Sequence, residues 1–256
     1  MKYVLDVDAS KVIEAVRSTG VTITPAMMHY AHYLISNMKN IGTWDLCNAV
    51  YGFVGGTADS HKWNWKDLRD VDSAFRLTYS GGITHSALGM QGNGSNGYAN
   101  TYYSNSALMR AMGYYVNTLG ILSNAELDMG ILSATDDGFF LSNRYGQNFV
   151  YGNIGKPNLL VSGTFGKGYF GISYENSNIF INHNNSIIGE AAIVFINTSQ
   201  NYPITIGARN SSVLFPNNFS NKRFAFSYIA STNLTKNQAQ QQSQIVTNAQ
   251  NILNRA

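Results

Sequence analysis

Apolar residues in this chain recur in two rhythms. Near both ends they return every three or four positions; between the ends they alternate or form short runs cut by Gly, Asn, Ser and Pro. Met27, Ala31, Leu34, Ile35 and Met38 fall on one helical face. Thr24 and Pro25 in front of them supply a capping hydroxyl and a proline at the first helical position. A shorter helix is predicted from Asp8 to Thr19, with Val12 and Val16 one turn apart and Gly20 ending it. At the far end, Thr235 to Asn254 reads as a helix opened by a capping box of Thr235 and Gln238. Its stripe of Ala239, Val246, Ala249 and Leu253, widened by Ile245 and Ile252, suits packing on a sheet.

Between the helices the rhythm is that of strands. Gly42 breaks the helical pattern, Trp44 follows as an apolar anchor, Leu46–Val54 reads as a buried strand, and Gly55-Gly56 turns the chain into a second run at Trp63–Lys66. Further strands are predicted at Ala74–Tyr79, Ile83–Met90, Leu108–Val116, Glu126–Leu132, Gly138–Ser142 and Gln147–Tyr151. Gly168–Tyr174 and Asn178–Asn182 bracket Glu175-Asn176-Ser177, the clearest hairpin. Ala191–Ile196, Ile204–Ala208 and Lys222–Ile229 complete a series of about a dozen strands with no helix interleaved, which favours an all-β jelly-roll sandwich over a βαβ fold. The chain thus divides into a helical segment (1–40), a sandwich (41–232) and a closing helix (233–256). Met27, Leu34 and Ile35 are expected to be buried against the sandwich or another chain, which makes segment 1–40 the candidate for attachment or oligomerisation.

Composition narrows the function. Only 12% of the 256 residues are charged, against about 25% in an average protein. The 24 glycines and 12% aromatics fit strands joined by tight turns. A net charge of +3 carried by scattered Lys and Arg gives no footprint for nucleic acid. No run approaches the roughly 18 apolar residues of a membrane-spanning helix, and the start of the chain lacks the pattern of a secretion signal, so membrane insertion is not expected. Cys47 is the sole cysteine, which allows no internal disulfide and reads as a small buried hydrophobe.

Several motifs then stand in a familiar order: L-I-S-N-M-K-N-I-G-T-W-D, W-N-W-K, N-G-S-N-G-Y-A-N-T, F-L-S-N-R-Y, I-T-I-G-A-R-N and F-A-F-S-Y-I-A-S-T-N-L-T-K-N-Q-A. In that order they resemble the concanavalin A/laminin-G-like jelly-roll domains of tailed-bacteriophage virion proteins, over roughly Ile35 to Leu253. The pattern departs at Asn37-Met38-Lys39, where that group has Leu-Lys. The resemblance implies a non-catalytic structural or adhesion role in a tail, fibre or head decoration, assembled in the host cytoplasm. Its implied partners are other virion proteins, further copies of the chain and a host-surface glycan. It gives Trp44 the role of plugging the core, Gly207 and Asn210 that of ending a strand, and Arg209 a partner across a loop. No cofactor is implied.

Candidate chemistry is sparse. Gly92, Gly94 and Gly97 match a dinucleotide fingerprint, but no helix pattern follows to receive a phosphate, so a loop is expected. Glu126 and Asp128 alternate along one strand, as acids do in jelly-roll glycosidases of the laminarinase type. Period two puts both on one face, yet Gly130 stands where a third acid would, and a solvent-facing strand edge is the expected setting. A carbohydrate-binding module, with Tyr102, Tyr103, Tyr114 or Tyr115 stacking on sugar, is the alternative, and a glycosidase using Glu126 and Asp128 a more remote one. His29 and His32 lie one turn apart without a third metal ligand nearby, and His61 and His85 stand alone. Asp67, Asp70, Asp72, Asp136 and Asp137 are expected to serve as turn and cap residues more than as calcium ligands.

Overall fold

The computed structural model describes residues 5–104, 109–119, 126–132, 138–145, 149–155, 157–193, 202–210 and 216–256. The chain opens with helices α1 (Val7–Ser18) and α2 (Pro25–Asn40), then strand β1 (Cys47–Tyr51) and the single turn α3 (Ala58–His61). Short strands β2 (Thr78–Ser80), β3 (Thr84–Ser86) and β4 (Gly89–Gln91) lead into β5 (Tyr98–Ser104) and β6 (Ala111–Thr118). Next come β7 (Met129–Leu132), β8 (Gly138–Tyr145), β9 (Phe149–Gly155) and β10 (Leu159–Ser162), and then β11 (Gly168–Glu175), β12 (Asn178–His183) and β13 (Ser186–Ala192). β14 (Pro203–Ile206), β15 (Arg209–Asn210), β16 (Pro216–Asn217) and β17 (Arg223–Ala230) precede the closing helix α4 (Lys236–Ile252).

The first sheet has the order β13-β12-β11-β6-β17-β4-β3, and β1 also pairs with β17, along Ser227–Ala230. The second has the order β10-β9-β8-β7-β14-β5-β2, with β15 attached to β7 and β16 to β15. Apart from one parallel pairing, Asn210 with Ile131, the ladders among the described residues are antiparallel. This is the two-sheet, all-β architecture that the strand pattern predicts, with helices before and after it.

Strand alternation adds a third layer. Tyr115, Tyr169, Phe180, Phe226 and Tyr228 face the helices and pack with Val12, Tyr30, Leu34, Ile35, Met38 and Val246. Their neighbours Tyr114, Phe170, Ile179, Ile181 and Phe224 point the other way, onto Met129, Ile131, Phe139, Leu141, Val150, Ile154 and Ile206 of the second sheet. The first sheet is therefore buried on both faces, which is why β6, β11 and β17 read as continuous apolar runs. Trp44 is buried in the helix-facing layer and not between the sheets.

Leu34 and Ile35 are enclosed in this chain's own core, and Met27 packs against it half-buried. The α2 face expected to attach to the sandwich or to a second chain is thus occupied from within. Several sequence expectations give way; Ala74–Tyr79, for one, begins in a 3-10 turn and is strand only from Thr78. Trp63–Lys66 is a turn and not a strand: the buried Asn64 amide accepts from Val50 N and donates to Asn48 O and Ala74 O, drawing the chain round it. Helix α4 buries polar residues beside its apolar stripe, namely Gln242, Ser243 and Gln250, whereas Leu253 is only half-buried. The Gln250 Nε2 donates to Tyr30 Oη at 3.2 Å. No helix among the described residues is long and apolar enough to cross a membrane.

Candidate functional site

With α2 and α4 on the helix-facing side of the first sheet and α1 packed on α2, the broad sheet surface without a helix among the described residues is the outer face of the second. Along β9 the alternation sends Val150 and Ile154 inward and Tyr151 to the other face, beside Asn153, which is fully buried there. Tyr151 stands opposite Leu160 on edge strand β10 and opposite Ser142 on β8; Asn153 stands opposite Phe140. The Tyr151 ring lies 4.6 Å from that of Phe140, at 56°, and both join Leu127 in a small apolar cluster of their own. Asn158 Nδ2 donates to Tyr151 Oη, and Asn153 Nδ2 donates to Asn158 Oδ1. Leu160 is 50% exposed, and Tyr151 and Asn158 are half-buried. The result is a surface strip with an aromatic ring braced from behind, an aliphatic neighbour and one amide, Asn158, fixed in orientation by Tyr151 and the fully buried Asn153. An aromatic face beside an oriented amide suits a ligand with both apolar C–H and hydroxyl groups.

A second constellation lies inside. Asp128 is fully buried, Lys222 is 2% exposed and Glu126 6%. Lys222 Nζ donates to Asp128 Oδ1 at 2.7 Å and to the Asn143 carbonyl at 2.7 Å, and sits 3.9 Å from Glu126 Oε2. Ser220 Oγ donates to Asp128 Oδ1 at 2.9 Å; Tyr114 Oη and Asn143 N each donate to Oδ2 at 2.8 Å. Burial first, and then the charge of Asp128, holds the Tyr114 phenol well above its usual pKa, so it stays a donor. Glu126 and Asp128 do reach the same lysine, as period two suggests. They are not, however, on a solvent-facing edge: the segment turns its acids into the sandwich and packs Leu127 on Phe140.

The remaining sequence candidates resolve into structural roles. Asn93 Oδ1 accepts from the backbone N–H of Ser95, Asn96 and Gly97, each at 3.0 Å, so the glycine loop's concavity is filled by its own amide. Tyr103, Tyr114 and Tyr115 are buried, and Tyr102 hydrogen-bonds Thr78. His32 Nδ1 accepts from Asp6 N, and the His29 ring meets Tyr33 edge-on. Asp67 pairs with Arg69, and Asp70 and Asp72 pair with Arg76; Lys62 also binds Asp70. Asp136 and Asp137 lie outside the described residues. His61 and His85, isolated in sequence, meet at 3.0 Å between their Nδ1 atoms. Among the described residues no group of three His, Cys, Asp or Glu is placed to hold a metal ion. An apolar groove of about 720 Å³ runs along Leu5, Pro25, Ala26, Met28, His29 and Ile252. Of the strand-end roles implied by the resemblance, Gly207 has φ +84°, Arg209 Nε donates to Asn217 Oδ1, and Asn210 Nδ2 donates to Pro203 O.

No protein-family model matches the chain, and no curated protein sequence matches it. Solved structures similar to it include Trypanosoma rangeli sialidase in complex with sialic acid, with a TM-score of 0.55 and 11% identity over 78% of this chain and 32% of that one. The same sialidase with 2,3-difluorosialic acid bound gives 0.52 and 12%, over 88% of this chain and 40% of that one. Domain 4 of AbnA, a GH43 extracellular arabinanase from Geobacillus stearothermophilus, in complex with arabinotriose, gives 0.45 and 16%, over 77% and 98%. The chain spans well under half the length of the sialidase chains it matches. At such identities the sialidase likeness bears on fold alone, and this chain's fold is an all-β sandwich of jelly-roll type with helices before and after it.

Proposed function

We propose that this chain is a non-catalytic carbohydrate-binding sandwich that takes sugar on the outer face of its second sheet. The observation that carries the reading is the Tyr151 strip: a ring braced by Phe140 and flanked by Asn158 and Leu160, with the buried Asn153 holding the Asn158 amide from beneath. A sugar ring stacks its C–H face on tyrosine while the oriented Asn158 amide takes a hydroxyl. Support of a coarser kind comes from the fold shared with part of a sialidase seen with sialic acid. The virion placement rests on the sequence motifs alone, and an adhesion role on a particle is compatible with a sugar-binding face. The non-catalytic part of the reading rests on Asp128, whose two oxygens are occupied by four internal donors, and on Glu126, which shares its lysine. Neither acid is placed to meet a glycosidic bond.

Glycan-array binding followed by titration of the best ligand tests this. We expect Tyr151→Ala to weaken binding at least tenfold, about 1.4 kcal/mol, with the circular dichroism spectrum unchanged. Absence of binding to any glycan, or equal affinity in the folded variant, defeats the proposal.

A further inference from the structure

The buried lysine centre has the parts of an amide-forming site. We propose that Lys222 and Asp128 condense spontaneously into an intramolecular isopeptide bond that ties the first sheet to the second. The nucleophile, electrophile and oxyanion donors are in place, and a proton carrier stands nearby. Lys222 Nζ is 2.7 Å from Asp128 Oδ1 and is aimed by its second hydrogen bond, to the Asn143 carbonyl. Asp128 Oδ2 faces two donors, Tyr114 Oη–H and Asn143 N–H, both at 2.8 Å. That is the arrangement that stabilises negative charge on a tetrahedral carbon's oxygen. Oδ1, the oxygen to be expelled, accepts from Ser220 Oγ at 2.9 Å. Glu126 Oε2 lies 3.9 Å from Nζ, one side-chain adjustment short of proton-transfer reach.

The step balances without a co-reactant. A proton passes along the hydrogen bond from the Lys222 ammonium to Asp128 Oδ1, leaving amine and carboxylic acid. The nitrogen lone pair attacks Cγ, and charge builds on Oδ2 in front of Tyr114 and Asn143. Glu126 takes a second proton from nitrogen and delivers it to Oδ1, the Cγ–Oδ1 bond breaks, and water departs. The ammonium and carboxylate have become one secondary amide and one water. Product formation is favoured by the surroundings, because a neutral amide escapes the desolvation cost of a buried ion pair. The two residues lie 94 positions apart, so the bond constrains the unfolded chain as a disulfide over a long loop does. With Cys47 the sole cysteine, the chain has no internal disulfide to do so.

Intact-mass measurement of the purified full chain tests the bond. The wild type is expected to weigh one water less than its sequence, and its digest to yield a branched peptide joining the Lys222 and Asp128 segments. Lys222→Arg is expected at full sequence mass, and Glu126→Gln is expected to show a mixture that converts slowly. A folded wild type that keeps its full mass after prolonged incubation overturns the proposal. So does a water loss that persists in Lys222→Arg or maps to other residues, and a Glu126→Gln chain that condenses as fast as wild type removes Glu126 from its role. Should Lys222→Arg fail to fold, the wild-type mass and peptide map decide alone.

Discussion

At the scale of single residues, the histidine pair shows how tautomers build acid sensitivity into a fold. His61 Nε2 accepts from Gly56 N at 3.0 Å, so the ring's proton sits on Nδ1 and is donated to His85 Nδ1. A further proton on either ring sets two donors against each other. Burial, helped by His85 and Arg255, holds His61 well below the usual 6.5, and burial lowers His85 as well. Tyr79 packs edge-on to His85 and stays protonated, its pKa pushed well above 10.0 by burial. The unfolded chain therefore binds more protons, and the stabilisation present above pH 6.5 is lost as pH falls below that value toward the folded-state pKa values. Asp6, Asp8, Asp67 and Asp70 are held below 3.8, so their contribution is lost in a separate, more acidic window. We expect the melting temperature to fall between pH 7 and 5, and His61→Gln, which keeps an acceptor for Gly56, to flatten that fall. An unchanged slope in the variant refutes the assignment.

At the scale of elements, close approach explains two positions that propensity does not. Gly52 follows β1, and a Cβ there would stand 2.1 Å from Trp65 Cζ2, so Gly52→Ala is expected to destabilise by about 2–3 kcal/mol in urea titration. Arg255, 4% exposed, donates to the carbonyls of Phe53, Ala87 and Gly52 at 2.8, 2.8 and 3.4 Å, and lies over the Tyr30 ring. It fastens the end of α4 to β1 and to the β3–β4 hairpin. Arg255→Ala leaves three carbonyls without that donor and is expected to cost about 3 kcal/mol; a change under about 0.5 kcal/mol in the same titration refutes this role. Local signals made much of this legible. The Thr24-Pro25 start, the Thr235/Gln238 capping box and the β11–β12 turn, with Asn176 and Ser177 at positive φ, all appear as read. What stayed hidden depends on partners far away in the chain. Neither the meeting of His61 with His85 nor Lys222 closing on Asp128 leaves a local pattern. Nothing local marks Tyr151, because its outward direction follows from sheet register, whereas Tyr103, Tyr114 and Tyr115 are buried by the strands around them.

At the scale of the whole molecule, the order of layers sets the order of stability. The first sheet lies between helices and second sheet, and β6, β11 and β17 are central strands buried through most of their length. β10 and β13 are edges, with exposed residues alternating along them, and β3 is a three-residue edge held through the histidine pair and Ala87. Backbone amides exchange through openings whose free energy tracks the burial that must be undone. Hydrogen exchange is therefore expected to be slowest in β6, β11 and β17, at the level of global unfolding. β3, β10 and the exposed positions of β13 should exchange first. β9 should fall between, since among the described residues the apolar cluster on its outer face is the small one of Tyr151, Phe140 and Leu127. This ranking separates the three-layer account from a plain two-sheet sandwich, in which β8 and β9 would match β6 and β11. Equal protection of the two sheets would mean that the helices add little to the core, and that the surface around Tyr151 is as rigid as the buried centre.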